Sequence, residues 1–249
     1  MNTSSNQPLT VLTGASRGLG LAMAQQLLDS GHRLLTISRH APVIEHPALT
    51  AWTLDLADPA PVAARLETWL AVFDPASLAS ANLINNAGVV SALAPLGGIA
   101  AADLSNALRV GLEAPLLLAS AFLRATAAWG VPRKLLFISS GLGRRAMAGS
   151  ASYCAAKAGM DHLARAIALE EAALPNGARA VSLAPGVIDT DMQLQLRNAD
   201  PAAFPERERF VGFKTSGQLD SPAVAAAKVL RYLDRADFGS NPTGDVRDA

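Results

Sequence analysis

Residues 9–20 read Leu-Thr-Val-Leu-Thr-Gly-Ala-Ser-Arg-Gly-Leu-Gly, a short strand-like run from Leu9 to Thr13 followed by a turn carrying Gly14, Gly18 and Gly20. Glycine permits a tight turn and lets a ligand approach the main chain. A helix that starts within such a turn offers free N–H groups and the positive end of its dipole to a diphosphate. Gly14, Ser16, Arg17, Gly18, Leu19 and Gly20 are therefore candidate dinucleotide contacts. A glycine turn also occurs for purely structural reasons, so its surroundings decide. The helix runs to about Ser30, a second strand covers Arg33 to Ser38, and a third lies near Thr50 to Leu54. This is a βαβ unit with one further strand.

The alternation continues along the chain. A helix is expected over Pro61 to Phe73, a strand over Ala81 to Asn85, and a long helix from Asp103 to Trp129 that Pro115 either kinks or breaks. Strands follow at Lys134 to Ser139 and Ala178 to Leu183, flanking a helix from Ser150 to Ala173. Ser221 to Arg235 reads as a last helix, with Ser221 as cap and Pro222 in its first turn, before a short edge strand near Gly244 to Arg247. Residues 188–215 mix polar, proline and aromatic types, which fits a loop with one or two short helices, acting as a substrate lid or as a static excursion. No repeat or linker divides the chain. The expected fold class is α/β, one domain over residues 1–249 built on a doubly wound parallel sheet of the Rossmann type, with helices on both faces.

Composition narrows the function. Twenty-one basic and 21 acidic residues give zero net charge, which provides no steering toward nucleic acid. The single cysteine, Cys154, excludes an internal disulfide, and the four histidines form no metal-ligand spacing, so no metal is expected. A reducing, cytoplasmic setting follows as an expectation. The polar leader MNTSSNQP has no basic cluster, and no long uncharged apolar run points to a membrane.

The second strand ends at Ser38-Arg39, where a site for the unphosphorylated dinucleotide would favour a carboxylate. Arg39 and Arg17 can instead pair with a 2′-phosphate, which points to NADP(H), although either can also be a solvated surface charge. Asp55, with Leu56 beside it, could meet the adenine or cap the next helix. Tyr153 and Lys157 are four residues apart and so share one helix face. A nearby ammonium favours the phenolate of a tyrosine, which enables proton chemistry. Ser140, at the end of the fifth strand, could hydrogen-bond a substrate oxygen.

Taken together, Thr13 to Gly20, Asn85-Asn86-Ala87-Gly88, Ser140, Tyr153-Cys154-Ala155-Ala156-Lys157 and Pro185-Gly186-Val187-Ile188-Asp189-Thr190 resemble the short-chain dehydrogenase/reductase family over nearly the whole chain. The resemblance implies that Tyr153 donates a proton to a carbonyl, Ser140 positions its oxygen, and Lys157 lowers the tyrosine pKa and contacts the nicotinamide ribose. It also implies that Asn86, Ala87 and Gly88 line the cofactor cleft. Pro185, Gly186, Val187 and Ile188 would then pass the nicotinamide, with Thr190 near its amide or the diphosphate.

One position departs from the family pattern: Gly111 stands where an asparagine usually serves the lysine relay, leaving a substitute relay, slowed catalysis or a nonfunctional homologue. Within the family, the segment from Ala184 to Gln193 is similar to sepiapterin reductases and bacterial benzil reductases. By that likeness Asp245 matches a pterin-anchoring aspartate, though Asp248 competes for the match and either can be a tail charge.

The implied activity is NADPH-dependent reduction of a small ketone or vicinal diketone. A pterin, a 3-oxoacyl thioester or loss of catalysis are the alternatives. The family also implies a homodimer or homotetramer through the two alanine- and leucine-rich helices.

Overall fold

The computed structural model describes residues 6–248; the first five residues of the polar leader and Ala249 lie outside it. Seven parallel strands form one sheet: β1 (Gln7–Thr13), β2 (Arg33–Ser38), β3 (Leu49–Thr53), β4 (Leu78–Asn85), β5 (Arg133–Ile138), β6 (Arg179–Ala184) and β7 (Thr243–Asp245). Their order is β3-β2-β1-β4-β5-β6-β7, so the chain reverses its direction of travel between β1 and β4. A doubly wound sheet opens a crevice at that switch, beyond the strands' carboxyl ends.

Helices cover both faces. On one face lie α1 (Gly18–Asp29) and the last long helix, α8 (Pro222–Asp234). Leu12, Met23, Leu34, Ile84, Leu183 and Val229 belong to the core between them and the sheet. On the other face lie α2 (Pro59–Leu70), α3 (Ala101–Leu108), α4 (Ala114–Thr126) and α5 (Ala151–Ala172). Val11, Leu66, Leu83, Phe122, Phe137 and Met160 are buried there. The central strands are buried on both faces, which explains why they read as continuous apolar runs. The remaining helices, α6 (Asp191–Arg197) and α7 (Arg207–Thr215), sit over a third, smaller cluster containing Met147, Leu196, Phe204 and Phe210.

Several expected boundaries shift for physical reasons. The second helix begins at Pro59, not Pro61, because prolines near a helix start lack only an N–H that has no intrahelical partner. The long middle helix is neither kinked nor broken at Pro115. Residues Arg109–Glu113 form a π-helical turn, closed by the Ala114 N–H donating to the Arg109 carbonyl. Pro115 then falls in the first turn of α4, where a missing donor is tolerated. That helix starts at Ala101 and ends at Thr126, short of Trp129. By length and composition Ala101–Thr126 could cross a bilayer, but half of its most apolar window is buried inside the protein. The edge strand is Thr243–Asp245, and Val246–Asp248 turns into a 3-10 helix instead of extending to Arg247. Ser221 caps α8 as expected, its Oγ accepting from the Val224 N–H at 3.3 Å.

Candidate active site

The carboxyl ends of β1, β2, β4, β5 and β6 open onto one cleft of about 1280 Å³. Its walls include all the predicted glycine-turn residues (Gly14, Ser16, Arg17, Gly18, Leu19 and Gly20), together with Ser38, Arg39 and Leu56. Asn86, Ala87, Gly88, Ser140, Tyr153, Lys157, the run Pro185 to Ile188, and Thr190 line it as well. Asp55 does not. Its Oδ1 accepts from the Ala57 N–H at 2.9 Å, while Asp58 occupies the N-cap position of α2, so Asp55 holds a local turn and neither lines the cleft nor caps the helix.

The glycine turn is held by close main-chain packing. Gly14 has φ +72°, and a Cβ there would lie 2.8 Å from the Ala87 Cα. A Cβ at Gly20 would collide with the Gly14 carbonyl oxygen. Asn86 fastens the turn: its Nδ2 donates to the carbonyls of Thr13 and Gly14, each at 3.0 Å. Thr13, which opens the motif but was given no role by the sequence, accepts the Asn86 and Ala87 N–H groups on its Oγ1, each at 2.9 Å. A threonine in a buried strand gives no signal of this role. Asn86 thus supports the cleft through the backbone of β1.

These walls fit a nicotinamide dinucleotide. The N-cap of α1 is Arg17, which makes no side-chain cap bond, so no side chain of that residue occupies the first-turn amides, and Gly18, Leu19 and Gly20 of that turn line the cleft. Ser38 is buried at 6% exposure, and its Oγ has no partner among the described residues. Arg39, beside it, makes no ion pair among the described residues and is exposed to the cleft. Arg17 is placed differently: its Nη1 pairs with Asp191 Oδ2 at 2.8 Å, bridging the turn to α6 across exposed surface.

The catalytic candidates come from β5 and α5. Lys157 is 4% exposed, and its Nζ donates to the Ile138 carbonyl at 2.6 Å. That ammonium lies 5.5 Å from the Tyr153 ring centroid. Burial pushes the Lys157 pKa down to about 8, with the Asp161 carboxylate pulling the other way. Burial pushes the Tyr153 phenol up to about 12, against the lowering influence of the Ser140 hydroxyl and with a smaller raising influence from Cys154. The lowering expected from Lys157 is not among these influences, and with its pKa raised the phenol is in its proton-donating form at neutral pH. Ser140 Oγ accepts from the Leu142 N–H at 3.2 Å.

Behind this trio lies a buried network that the motif reading missed. Asp161, at 2% exposure, accepts from Ser139 Oγ and Ser182 Oγ at 2.7 Å each, and pairs with Arg144 Nε at 3.2 Å. Arg144 also donates to the carbonyls of Ser182 and Gly244. The network ties α5 to the ends of β5, β6 and β7. Its one sequence signal is that Asp161 lies four residues beyond Lys157 on the same helix.

Gly111 sits in the π-helical turn, where a Cβ would come within 3.1 Å of the Ala156 Cβ on α5. Asp245 lines the cleft at 7% exposure, but its carboxylate is bound by Arg247 at 2.6 and 2.8 Å and held well below the usual carboxylate range. Asp248 does not line it. Ser150 and Gln193, neither of them predicted, also line the cleft, and both carry a buried side-chain oxygen without a partner among the described residues.

Comparison with known proteins agrees with this geometry. The profile of the family described as short chain dehydrogenase matches residues 9–201. A benzil reductase ((S)-benzoin forming) from Bacillus cereus is 32% identical over 247 residues, covering 95% of this chain and 96% of the relative. A sepiapterin reductase from Meriones unguiculatus is 32% identical over 256 residues, covering 96% and 95%. Among solved structures, a dehydrogenase from Agrobacterium tumefaciens with bound NADP is 25% identical, with a TM-score of 0.77 over 98% of this chain and 96% of that one.

Proposed function

The chain belongs to the short-chain dehydrogenase family, and from that membership we propose that it reduces a small ketone or vicinal diketone with NADPH. Family membership makes it an NAD(P)-dependent oxidoreductase acting on carbonyl or alcohol groups. The observation carrying the finer reading is the convergence of Ser140, Tyr153 and Lys157 on the same cleft as the glycine turn.

The bound nicotinamide would supply the hydride. The first-turn amides of α1 would hold its diphosphate, and the backbone of Pro185 to Ile188 would flank its ring. Ser140 orients the substrate oxygen and stabilises the charge that develops on it. The Tyr153 hydroxyl delivers the proton to that oxygen. Lys157, anchored on the Ile138 carbonyl, sets a positive charge beside the phenolate that remains. With glycine at position 111, this carbonyl is what holds the lysine.

The phosphorylated cofactor is favoured because β2 ends in Ser38 and Arg39 with no carboxylate there, and because a solved relative holds NADP. The pterin alternative is weaker, since the Asp245 charge that would recognise a guanidine-like edge is already neutralised by Arg247. The α6–α7 segment is read as a lid, supported by the Arg17–Asp191 pair that links it to the glycine turn. A homodimer or homotetramer through α4 and α5 completes the reading, with the cytoplasm as its setting.

Oxidation of NADPH across a panel of ketones, vicinal diketones, pterins and 3-oxoacyl thioesters tests the proposal. Ketone or diketone turnover should exceed the other classes and be faster with NADPH than with NADH. Tyr153→Phe should lower it about 10²- to 10⁴-fold. A Tyr153→Phe enzyme with wild-type turnover would overturn the mechanism.

A further inference from the structure

Ser150 stands at the N-cap of α5, and its side chain makes no cap hydrogen bond. It is 2% exposed and lines the catalytic cleft, yet its Oγ has no partner among the described residues. Neighbouring serines differ. Ser152 Oγ lies 2.7 Å from Ser91 Oγ, and Ser139 Oγ donates to Asp161 at 2.7 Å. Buried hydroxyls are nearly always partnered, so one left free in the wall of a reaction cleft is an unused donor.

Its position says what it would meet. Ser150 is the N-cap and Tyr153 the third residue of the helix, a spacing of three that puts both near one side of its first turn, and both line the cleft. A group held by Ser150 therefore sits next to the carbonyl held by Tyr153. The chemistry narrows it further, because a second carbonyl oxygen needs a donor. The free buried atom of Gln193 is Oε1, an acceptor, whereas the Ser150 hydroxyl can donate.

We propose that Ser150 is a specificity residue whose hydroxyl donates to the second oxygen of a vicinal dicarbonyl, while Ser140 and Tyr153 hold the first. This rests on the carbonyl-reductase reading above and selects the diketone branch of it. Ser150 biases the substrate toward two adjacent oxygens and fixes which of them faces the phenol.

The test compares kcat/KM with NADPH for a vicinal diketone and for the monoketone that lacks the second oxygen. In Ser150→Ala the diketone-to-monoketone ratio should fall about 10-fold, the loss expected for one neutral hydrogen bond, and Ser150→Thr should restore most of it. A general fold defect would lower both activities and leave the ratio unchanged, which would overturn the proposal, as would a wild type that reduces the monoketone but not the diketone. If the wild type reduces no carbonyl, the underlying reductase reading fails. Calorimetry of the diketone with NADP-saturated Tyr153→Phe protein then still decides on Ser150: adding Ser150→Ala should weaken binding about 10-fold, and equal affinity would overturn the role.

Discussion

Two ionisable groups, the half-buried Tyr153 and the buried Lys157, set the expected pH behaviour of the site. Tyr153, pushed up to about 12, keeps its proton throughout the neutral range, as the proposed acid for carbonyl reduction must. Lys157, pushed down to about 8, is cationic only below that pH. The charge matters once the phenol has given up its proton, because an adjacent ammonium stabilises the phenolate. Reduction should therefore be flat below about pH 8 and fall as pH rises through it, as Lys157 loses its charge. Lys157→Met should lower kcat/KM about 10²-fold and remove that limb, since no charge remains to be lost. Steady-state pH profiles of both proteins check this. A limb at the same pH in Lys157→Met would assign it to another group.

At the scale of elements, the alternation of strands and helices was readable because each strand is a short apolar run bounded by a turn or a helix cap. Arg33–Ser38 and the Ser221 cap fall where the pattern places them. The glycine turn, Ser140, Tyr153 and Lys157 were readable because local motifs carry them. Pairings across long sequence separations were not. Nothing local tells that Arg17 meets Asp191, or that Asp161 gathers Ser139, Ser182 and Arg144. The π-helical turn at Arg109–Glu113 was equally hidden, since Pro115 signals a disturbance without saying of which kind.

Gly111 gains its meaning from that turn. With a Cβ only 3.1 Å from Ala156, the position lets the middle helix approach the helix that carries Tyr153 and Lys157. Restoring the family's usual residue should thus be harmful here. Gly111→Asn should destabilise the protein by about 1–3 kcal/mol, the range for overpacking a close contact. Thermal unfolding measures the cost, and turnover should not rise, because the Ile138 carbonyl already anchors the lysine. A variant as stable as wild type and faster would show that the missing amide limits catalysis.

For the whole molecule, the proposed catalytic groups gather at one end of one sheet within a single chain. Support for the proposed assembly comes from what the fold leaves uncovered. Leu116 on α4 is 45% exposed and Leu169 on α5 is 78% exposed, on helices that lie on the same face of the sheet. Covering a leucine fully contributes about 1.5–3 kcal/mol, and a twofold contact repeats each residue, so these two positions can contribute substantially to a dimer. Sedimentation at micromolar concentration should give a multiple of the 25.7 kDa chain mass. Leu116→Glu with Leu169→Glu should shift it to the monomer by placing charges where the apolar contact would form. Because the site lies within one chain, the separated monomer should bind NADPH like the oligomer. A wild type that sediments as a single chain would remove the assembly and leave the chemistry intact.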